Sequence, residues 1–475
     1  MSEAIVEIKN VSRSDLENNI RKNNNKVNSL NHIKTYYFIG IGGIGMSALA
    51  RYFKAAGHAV YGYDKTPSTI TNQLEALGIS IHYEDSVEAI PVHTADKESV
   101  LVVYTPAIPK NHKGFAYVKN QGFSIKKRAE VLGLLTKDKF CLAVAGTHGK
   151  TTTSAILGHL LAETGVPVTA FLGGIATNYN SNLIQKGEEV IVVEADEYDR
   201  SFLQLYPNIA SISSMDADHL DIYGDVSVME EGFREFAQHV QKDGTLFIKN
   251  GLDLSGITVA VEEKAEFSAN NVTIKNGAFH FDLHYPDGIL KDIKIQLPGR
   301  HNVFNAATAL AMAIKYGVAG GELKSALGSF SGVNRRFTYR INREDLVLID
   351  DYAHHPTEID AVRQSVRELY PNEEVLVVFQ PHLFSRTCDF MEDFAKSLSQ
   401  FDEVLLLDIY PAREEPIEGV NSELLLKKIT LPRKRKIAKN ELKSAINASK
   451  PKIIVMLGAG DIGVEIEKLT KILTA

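Results

Sequence analysis

From Thr35 onward the chain alternates short apolar runs with longer segments of helical period. Thr35-Tyr-Tyr-Phe-Ile39, Val60–Tyr63 and Leu101–Tyr104 are short runs rich in β-branched and aromatic residues, which predicts strands, and a helical segment is expected near Ala129–Leu135. A second unit begins at Phe140, with strands predicted at Cys141–Ala145, Val190–Val193 and Ile209–Ser213 and a helix over Thr151–Leu161. Residues 257–297 then break into short β segments around Asn276-Gly277 and Pro286-Asp-Gly288, turn pairs that predict antiparallel hairpins. Helix 301–316 closes this unit, and Gly328–Val333 reads as a linker. The third unit predicts strands at 345–350, 375–379, 403–408 and 452–457 and helices at 357–369, 388–399, 440–448 and 462–473. Strands alternating with helices build parallel sheets covered on both faces. The expected architecture is three consecutive α/β domains, 32–138, 139–332 and 333–475, behind a polar, Asn-rich extension at 1–31.

Composition narrows the class without naming it. A chain of 475 residues has room for about three domains at ~150 residues each. A net charge of -7 leaves no electrostatic footprint for nucleic acid or an anionic membrane. The basic run Arg433–Lys436 reads as a solvated segment leading into Ile437. Cys141 and Cys388, the only cysteines, imply no disulfide framework and fit a reducing compartment. With no apolar leader and no stretch near 18 apolar residues, a cytoplasmic protein without membrane insertion is expected.

The most informative motif follows the strand Cys141–Ala145: Gly146-Thr147-His148-Gly149-Lys150-Thr151-Thr152. Glycines let backbone N–H groups approach phosphate, Lys150 adds charge, and the Thr151 hydroxyl suits Mg²⁺. The spacing is shorter than a full P-loop, which would need glycine at Val144. The expectation is a central ATP-binding domain of P-loop ATPase type.

Gly40-Ile-Gly42-Gly43-Ile44-Gly45 matches G-x-G-x-x-G after a strand, and Asp64 ends the next strand. This Rossmann-like fingerprint suits any ligand with a pyrophosphate and a ribose, so an NAD-dependent oxidoreductase stays open alongside a nucleoside-diphosphate sugar. Gly458-Ala-Gly460-Asp-Ile-Gly463 repeats the pattern with no downstream strand and acid, and reads as a tight strand-to-helix turn.

Glu194-Ala-Asp196-Glu197 and Asp216-Ala-Asp218-His219 place carboxylates and an imidazole at strand ends, where open α/β sheets bind ligands. That donor set beside a phosphate loop suits Mg²⁺–ATP and not zinc. Asn334-Arg335-Arg336-Phe337, at the entry to the third domain, offers guanidinium groups for a transferring phosphoryl. Asp351-Tyr352-Ala-His354-His355-Pro356 and Phe379-Gln-Pro-His382-Leu-Phe-Ser-Arg386 end neighbouring strands and could receive a carboxylate.

In this order, together with Leu297-Pro-Gly-Arg-His-Asn302, these motifs resemble the muramyl ligase family over residues 32 to 475. The resemblance implies a Rossmann-like N-terminal domain for a UDP-sugar, a central ATPase-like domain and a Rossmann-like C-terminal domain. The implied reaction is ATP-dependent ligation of L-alanine to the lactyl carboxylate of UDP-N-acetylmuramate through an acyl phosphate, in peptidoglycan precursor synthesis. Under it Gly42, Gly43, Ile44, Gly45 and Asp64 bind the UDP-sugar. Gly146 to Thr152, Asn302, Asn305 and Asp351 bind ATP. Thr151 and Glu194 hold one Mg²⁺ and His219 a second. Lys150, Glu194, His219, Arg335 and Arg336 are catalytic, and Tyr352, His354, His382 and Arg386 receive L-alanine. The partners implied are small molecules, with the chain a monomer or weak homodimer. Two features depart from or divide the family. Leu383 stands where members commonly carry arginine, and Val226–Gln241 lacks the lysine that later-acting siblings carbamylate. The missing lysine favours the alanine-adding branch. A recycling ligase that takes a preformed muramyl peptide remains the nearest alternative.

Overall fold

The computed structural model describes residues 30–91, 96–109, 111–412 and 414–474. The polar extension read at 1–31 lies outside these residues except for Leu30 and Asn31, and Leu30 is buried in the first core.

Three sheets stand in chain order. The first comprises β1 (Thr35–Ile39), β2 (Ala59–Tyr63), β3 (Ser80–His82), β4 (Val100–Tyr104) and β5 (Ser124–Lys127), all parallel, in the order β3-β2-β1-β4-β5. Strand order reverses between β1 and β4, and the crevice above that point takes ligands in sheets of this kind. The glycine turn at Gly40–Gly45 sits there, leading into the helix Ile44–Ala55.

The central sheet has β6 (Phe140–Ala145), β7 (Val168–Ala176), β8 (Ser181–Gln185), β9 (Val190–Glu194), β10 (Ile209–Ile212), β11 (Thr245–Lys249), β12 (Ile257–Val261), β13 (Phe267–Lys275), β14 (Ala278–Tyr285) and β15 (Gly288–Ile295). Their order is β15-β14-β13-β12-β11-β10-β6-β9-β7-β8, with antiparallel pairs at both edges. The hairpins turn at Asn276-Gly277 and Pro286-Asp287, within the two turn segments the sequence marks. The phosphate loop leaves β6, near the middle of the sheet, and enters the helix Lys150–Glu163.

The third sheet is β16 (Thr338–Asn342), β17 (Val347–Asp351), β18 (Val375–Phe379), β19 (Glu403–Leu406), β20 (Lys434–Lys436) and β21 (Ile453–Leu457), ordered β16-β17-β21-β18-β19-β20. Three details differ from expectation here. The basic run is not a mere solvated segment: Lys434–Lys436 pairs in parallel with Val404–Leu406 as an edge strand. Arg433 meanwhile reaches Glu403 at 2.6 Å. Charge on an edge strand discourages pairing with other chains. The helix expected at 388–399 is two, Phe384–Asp389 and Met391–Leu398, broken at Phe390 (φ -112°). A short helix, Ser422–Lys428, was not expected.

The first two sheets share an apolar core. Met46, Leu49 and Tyr52 of the helix Ile44–Ala55 pack with Phe171 and Leu183 of β7 and β8. The Tyr52 and Phe171 rings lie 5.5 Å apart. Burying such side chains is worth about 1.5–3 kcal/mol each, so these units dock as one body. Asn182 seals the joint by donating to the Ile44 carbonyl at 2.6 Å. The two apolar clusters of the third unit contain no buried residue before Phe337, and its junction with the rest is largely ionic. Among the described residues no helix is long and apolar enough to cross a membrane.

Candidate active site

Gly149 (φ 83°) adopts a conformation that side chains disfavour, just before the helix Lys150–Glu163. A Cβ there would stand 2.5 Å from Asn305 Oδ1, so this glycine lets the loop close on the helix Arg300–Tyr316. The Lys150 ammonium donates to the Gly146 carbonyl at 2.7 Å and lies 2.7 and 2.8 Å from the two Glu197 oxygens. Glu197 is 1% exposed, and Lys150 is the cation that makes its burial tolerable. The Thr151 hydroxyl donates to Glu194 Oε2 at 3.1 Å, and Ser154 donates to Glu194 Oε1 at 3.1 Å. Burial raises the Glu194 carboxyl above its ordinary range, against the Gly173 N–H, Lys150 and Arg336.

Two cavities flank this loop. One, of about 320 Å³, lies between the central and third sheets. It is lined by His148, Gly149 and Thr152 on the loop side and by Asn302, Asn305 and Asp351 opposite. The other, of about 680 Å³, lies where all three units meet. Gly43–Gly45 line one end, Lys150, Thr151 and Glu194 the other, with Tyr352 on the wall. Successive loop residues therefore face different cavities, and Arg336 is the residue that lines both.

Asp351 accepts backbone N–H groups from Phe337 at 2.6 Å and Ala353 at 2.7 Å, and burial pushes its carboxyl up to about 6. Asn302 donates to the Pro298 carbonyl at 2.7 Å, and Asn305 donates to Asn302 at 3.2 Å. His301, which the sequence reading passed over, lines the smaller cavity, and burial pushes it down to about 4, so it stays neutral at physiological pH. Asp64 takes hydrogen bonds from the Gly42 and Lys65 N–H groups, both at 2.7 Å. Gly42 and Asp64 thus shape the turn, while Gly43, Ile44 and Gly45 face the cavity.

The two arginines divide. Arg335 (φ 61°) points its guanidinium at the Gly458 carbonyl (2.5 Å), and its Nε lies 3.3 Å from Asp350. It reaches mainly the C-terminal glycine turn, whose Gly463 could not carry a Cβ without meeting Arg335 at 2.9 Å, while also lining the larger cavity 5.2 Å from the Tyr352 ring centre. Arg336 keeps a 3.8 Å pair with Glu358 and lies over the Tyr352 ring, 5.1 Å from its centre.

The four residues expected to receive an amino acid form one chain of contacts, beginning with the Tyr352 and His354 rings 5.3 Å apart, but they do not share one cavity. Tyr352 lines the larger cavity, whereas His354, His382 and Arg386 line neither. The His354 and His382 rings are 6.0 Å apart, and Arg386 Nη1 is 3.4 Å from His382 Nδ1. Arg386 donates from Nε and Nη2 to Asp218 Oδ1 at 3.0 and 2.8 Å, across the domain junction. Although burial works against its charge, Arg386 holds the Asp218 carboxyl far below the ordinary range. His219 (φ 53°) faces Asp218 at 3.7 Å and Glu197 at 4.0 Å, apart from the Thr151–Glu194 pair. No cluster of three or more His, Cys, Asp or Glu side chains poised for a metal occurs among the described residues. Mg²⁺ is satisfied by few protein oxygens when phosphate and water supply the rest, and Thr151 with Glu194 is such a set.

Family comparison places the chain as a whole. Three models match in sequence order. They are the Mur ligase family catalytic domain over residues 35–140, the Mur ligase middle domain over 144–313 and the Mur ligase glutamate ligase domain over 335–460. The chain belongs to the Mur ligase family. A UDP-N-acetylmuramate–L-alanine ligase of Christiangramia forsetii is 60% identical over 94% of this chain and 98% of its own length. One of Flavobacterium psychrophilum is 59% identical over 93% of this chain and 99% of its own. The crystal structure of the Thermotoga maritima UDP-N-acetylmuramate–alanine ligase superposes with a TM-score of 0.79 at 28% identity, covering 93% of this chain and 99% of that one. A Psychrobacter arcticus murein peptide ligase shares the fold, with TM-score 0.68 and 22% identity over 93% and 98% of the two chains. The family's chemistry is ATP-dependent ligation, so the oxidoreductase reading of the glycine turn falls away.

Proposed function

We propose that this chain joins L-alanine to the lactyl carboxylate of UDP-N-acetylmuramate at the expense of ATP, in peptidoglycan precursor synthesis. The observation that carries this reading is the phosphate loop between two cavities, with Arg336 lining both. One cavity is of nucleotide size, and the other runs from the diphosphate-type glycine turn to Lys150. ATP occupies the smaller cavity with its γ-phosphate towards Lys150, and the UDP-sugar lies in the larger one with its carboxylate at the same point. A carboxylate oxygen attacks the γ-phosphorus and ADP leaves. The alanine amine then attacks the acyl carbon, phosphate departs, and the amine loses a proton as the amide forms.

In this reading domains 32–138, 139–332 and 333–475 bind the UDP-sugar, ATP and the amino acid respectively, the last also touching ATP. Gly43–Gly45 hold the diphosphate with Arg128 beside them, its guanidinium 3.4 Å from Asp196 and close against Gly45. Lys150 leaves Glu197 for the γ-phosphate, and Arg336 stabilises the charge that builds on the transferring group. Arg335 braces the glycine turn of the third domain instead of touching phosphate. Thr151 and Glu194 would hold Mg²⁺, which neutralises phosphate charge when bound, and His219 would leave Asp218 and Glu197 to meet a second ion. His354, His382 and Arg386 accept L-alanine once its carboxylate replaces Asp218 on Arg386. The substrates are small molecules and the setting is the cytoplasm.

The test is ADP release with UDP-N-acetylmuramate plus either L-alanine or a preformed muramyl tripeptide. Turnover with alanine supports the proposal, and turnover only with the peptide would replace it by the recycling reaction. Chelation with EDTA should abolish turnover and added Mg²⁺ restore it. Activity that persists in EDTA would remove the metal from the reading.

A further inference from the structure

We propose that Glu358 is a positioning residue for phosphoryl transfer, tying the phosphate loop to the C-terminal domain and fixing Arg336 within it; this rests on the ligase reading above. Glu358 lies in the first turn of the helix Pro356–Leu369, where the helix dipole favours a carboxylate. Its Oε2 accepts the His354 N–H at 3.0 Å, which a purely structural start of a helix would require. Its other contacts exceed that need. Oε1 lies 3.5 Å from His148 Nδ1 on the phosphate loop and 3.8 Å from Arg336 Nη1, while Oε2 lies 3.2 Å from His354 Nδ1. One carboxylate, 15% exposed, thus touches three basic side chains on three separate segments. It also lines the nucleotide cavity.

Glu358 is the only ion-pair partner of Arg336 among the described residues. An arginine that serves two cavities needs an anchor, because a free guanidinium samples many rotamers and loses its aim on the γ-phosphate. The second tie crosses the domain junction. His148 is held between Glu358 and Asp216, which lies 3.3 Å from its Nε2, with the His355 ring 4.9 Å away. Lys249 acts on Asp216 from the same cavity wall, and Arg336, His301 and His354 face Glu358 from the remaining sides. Although burial opposes its charge, the two carboxylates push His148 up to about 9, so the loop carries a second cation beside Lys150. Asp216 supplies part of that stabilisation from the central domain, and Glu358 adds its share only when the third domain is docked.

The test compares wild type with Glu358→Gln, a near-isosteric change that keeps an acceptor for the His354 N–H. The expected result is a roughly ten- to hundredfold loss in kcat, little change in KM for L-alanine, and an alkaline limb of the pH–rate profile moved below that of wild type. A melting curve reports whether the variant folds. Should it not, His148→Gln probes the same tie from the loop and should lower kcat and abolish that limb. Wild-type kcat with an unmoved alkaline limb in a folded Glu358→Gln, or an unmoved limb in His148→Gln, overturns the proposal. Failure of the wild type itself to ligate L-alanine would instead overturn the ligase reading.

Discussion

Replacing Asp218 by asparagine should loosen the C-terminal domain more than any single apolar substitution at its junction. Arg386 and Asp218 are 5% and 8% exposed, so solvent screens their attraction little. The guanidinium makes two hydrogen bonds to one carboxylate oxygen, at 3.0 and 2.8 Å. Removing one member of such a pair leaves an uncompensated buried charge, at a cost of about 3–5 kcal/mol. Apart from the partly buried Leu369, which packs on both the central and the third cores, the third domain shares no apolar cluster with the first two, so undocking lets Arg386 rehydrate while each core survives. The loss therefore falls on the docking equilibrium, and about 3 kcal/mol corresponds to a shift of roughly 100-fold towards the undocked form.

Limited proteolysis of the segment Gly328–Val333 reads this directly. Asp218→Asn should be cut faster than wild type, while Asp218→Glu, which keeps the charge, should lie between them. Because Asp218 is depressed in the folded state, its contribution is complete above the unfolded carboxylate pKa of ~4 and is lost only as pH falls through the lower folded value. The proteolysis difference should accordingly be flat from pH 6 to 8. Equal cutting rates for wild type and Asp218→Asn would refute the reasoning, as would a difference that appeared only near pH 7.

Three further outcomes are expected. Lys150→Met should lower kcat by about 10²–10³, the scale for losing one charge-stabilising donor. It should also depress the melting temperature, because Glu197 is left buried without its cation; steady-state kinetics and calorimetry check both. Gly149→Ala should weaken ADP binding and cost about 1–3 kcal/mol of stability, from the φ of 83° and the approach to Asn305; titration calorimetry and urea unfolding measure these. His301 titrates near 4 in the fold against ~6.5 unfolded, so the unfolded chain binds more protons between those values and stability falls as pH drops through that window. His301→Gln should flatten part of that acid slope in urea unfolding at pH 4.5 and 7, and an unchanged slope would count against a neutral His301.

Local pattern made the strands and most helices legible, because each apolar run needed only to know which face it would bury. The same holds for the loops. Gly146–Thr151 follows a strand and precedes a helix, and the glycine turn at Gly458–Gly463 packs tightly as its missing acid implied. Pattern failed where a tertiary partner decided the outcome. Lys434–Lys436 has the composition of a solvated run, yet β19 offered an unpaired edge and the side chains remained free to reach Asp408 and Glu423. The helix expected at 388–399 shows an unbroken apolar period, and nothing local marks the break at Phe390, whose ring instead packs 4.7 Å from His355.

The site shows the same division more sharply. Residue types and strand ends located the phosphate loop, the carboxylates and the arginine pair, but not how each charge is balanced. Lys150 meets Glu197 across 47 residues, Arg386 meets Asp218 across 168, and Arg335 meets Gly458 across 123. The first arises because parallel β6 and β9 end at the same edge of one sheet, and the last because antiparallel β16 begins where β17 and β21 end. The Arg386–Asp218 pair arises because the central and third units meet there. Two adjacent arginines look equivalent in sequence, yet a left-handed backbone at Arg335 sends one side chain to the carbonyls of the last glycine turn and leaves the other between the cavities. If that division is functional, Arg335→Lys should chiefly lower the stability of the third domain and Arg336→Lys should chiefly slow turnover. Equal kinetic losses with unchanged melting temperatures would mean that both guanidinium groups reach the phosphate when the ligands are bound.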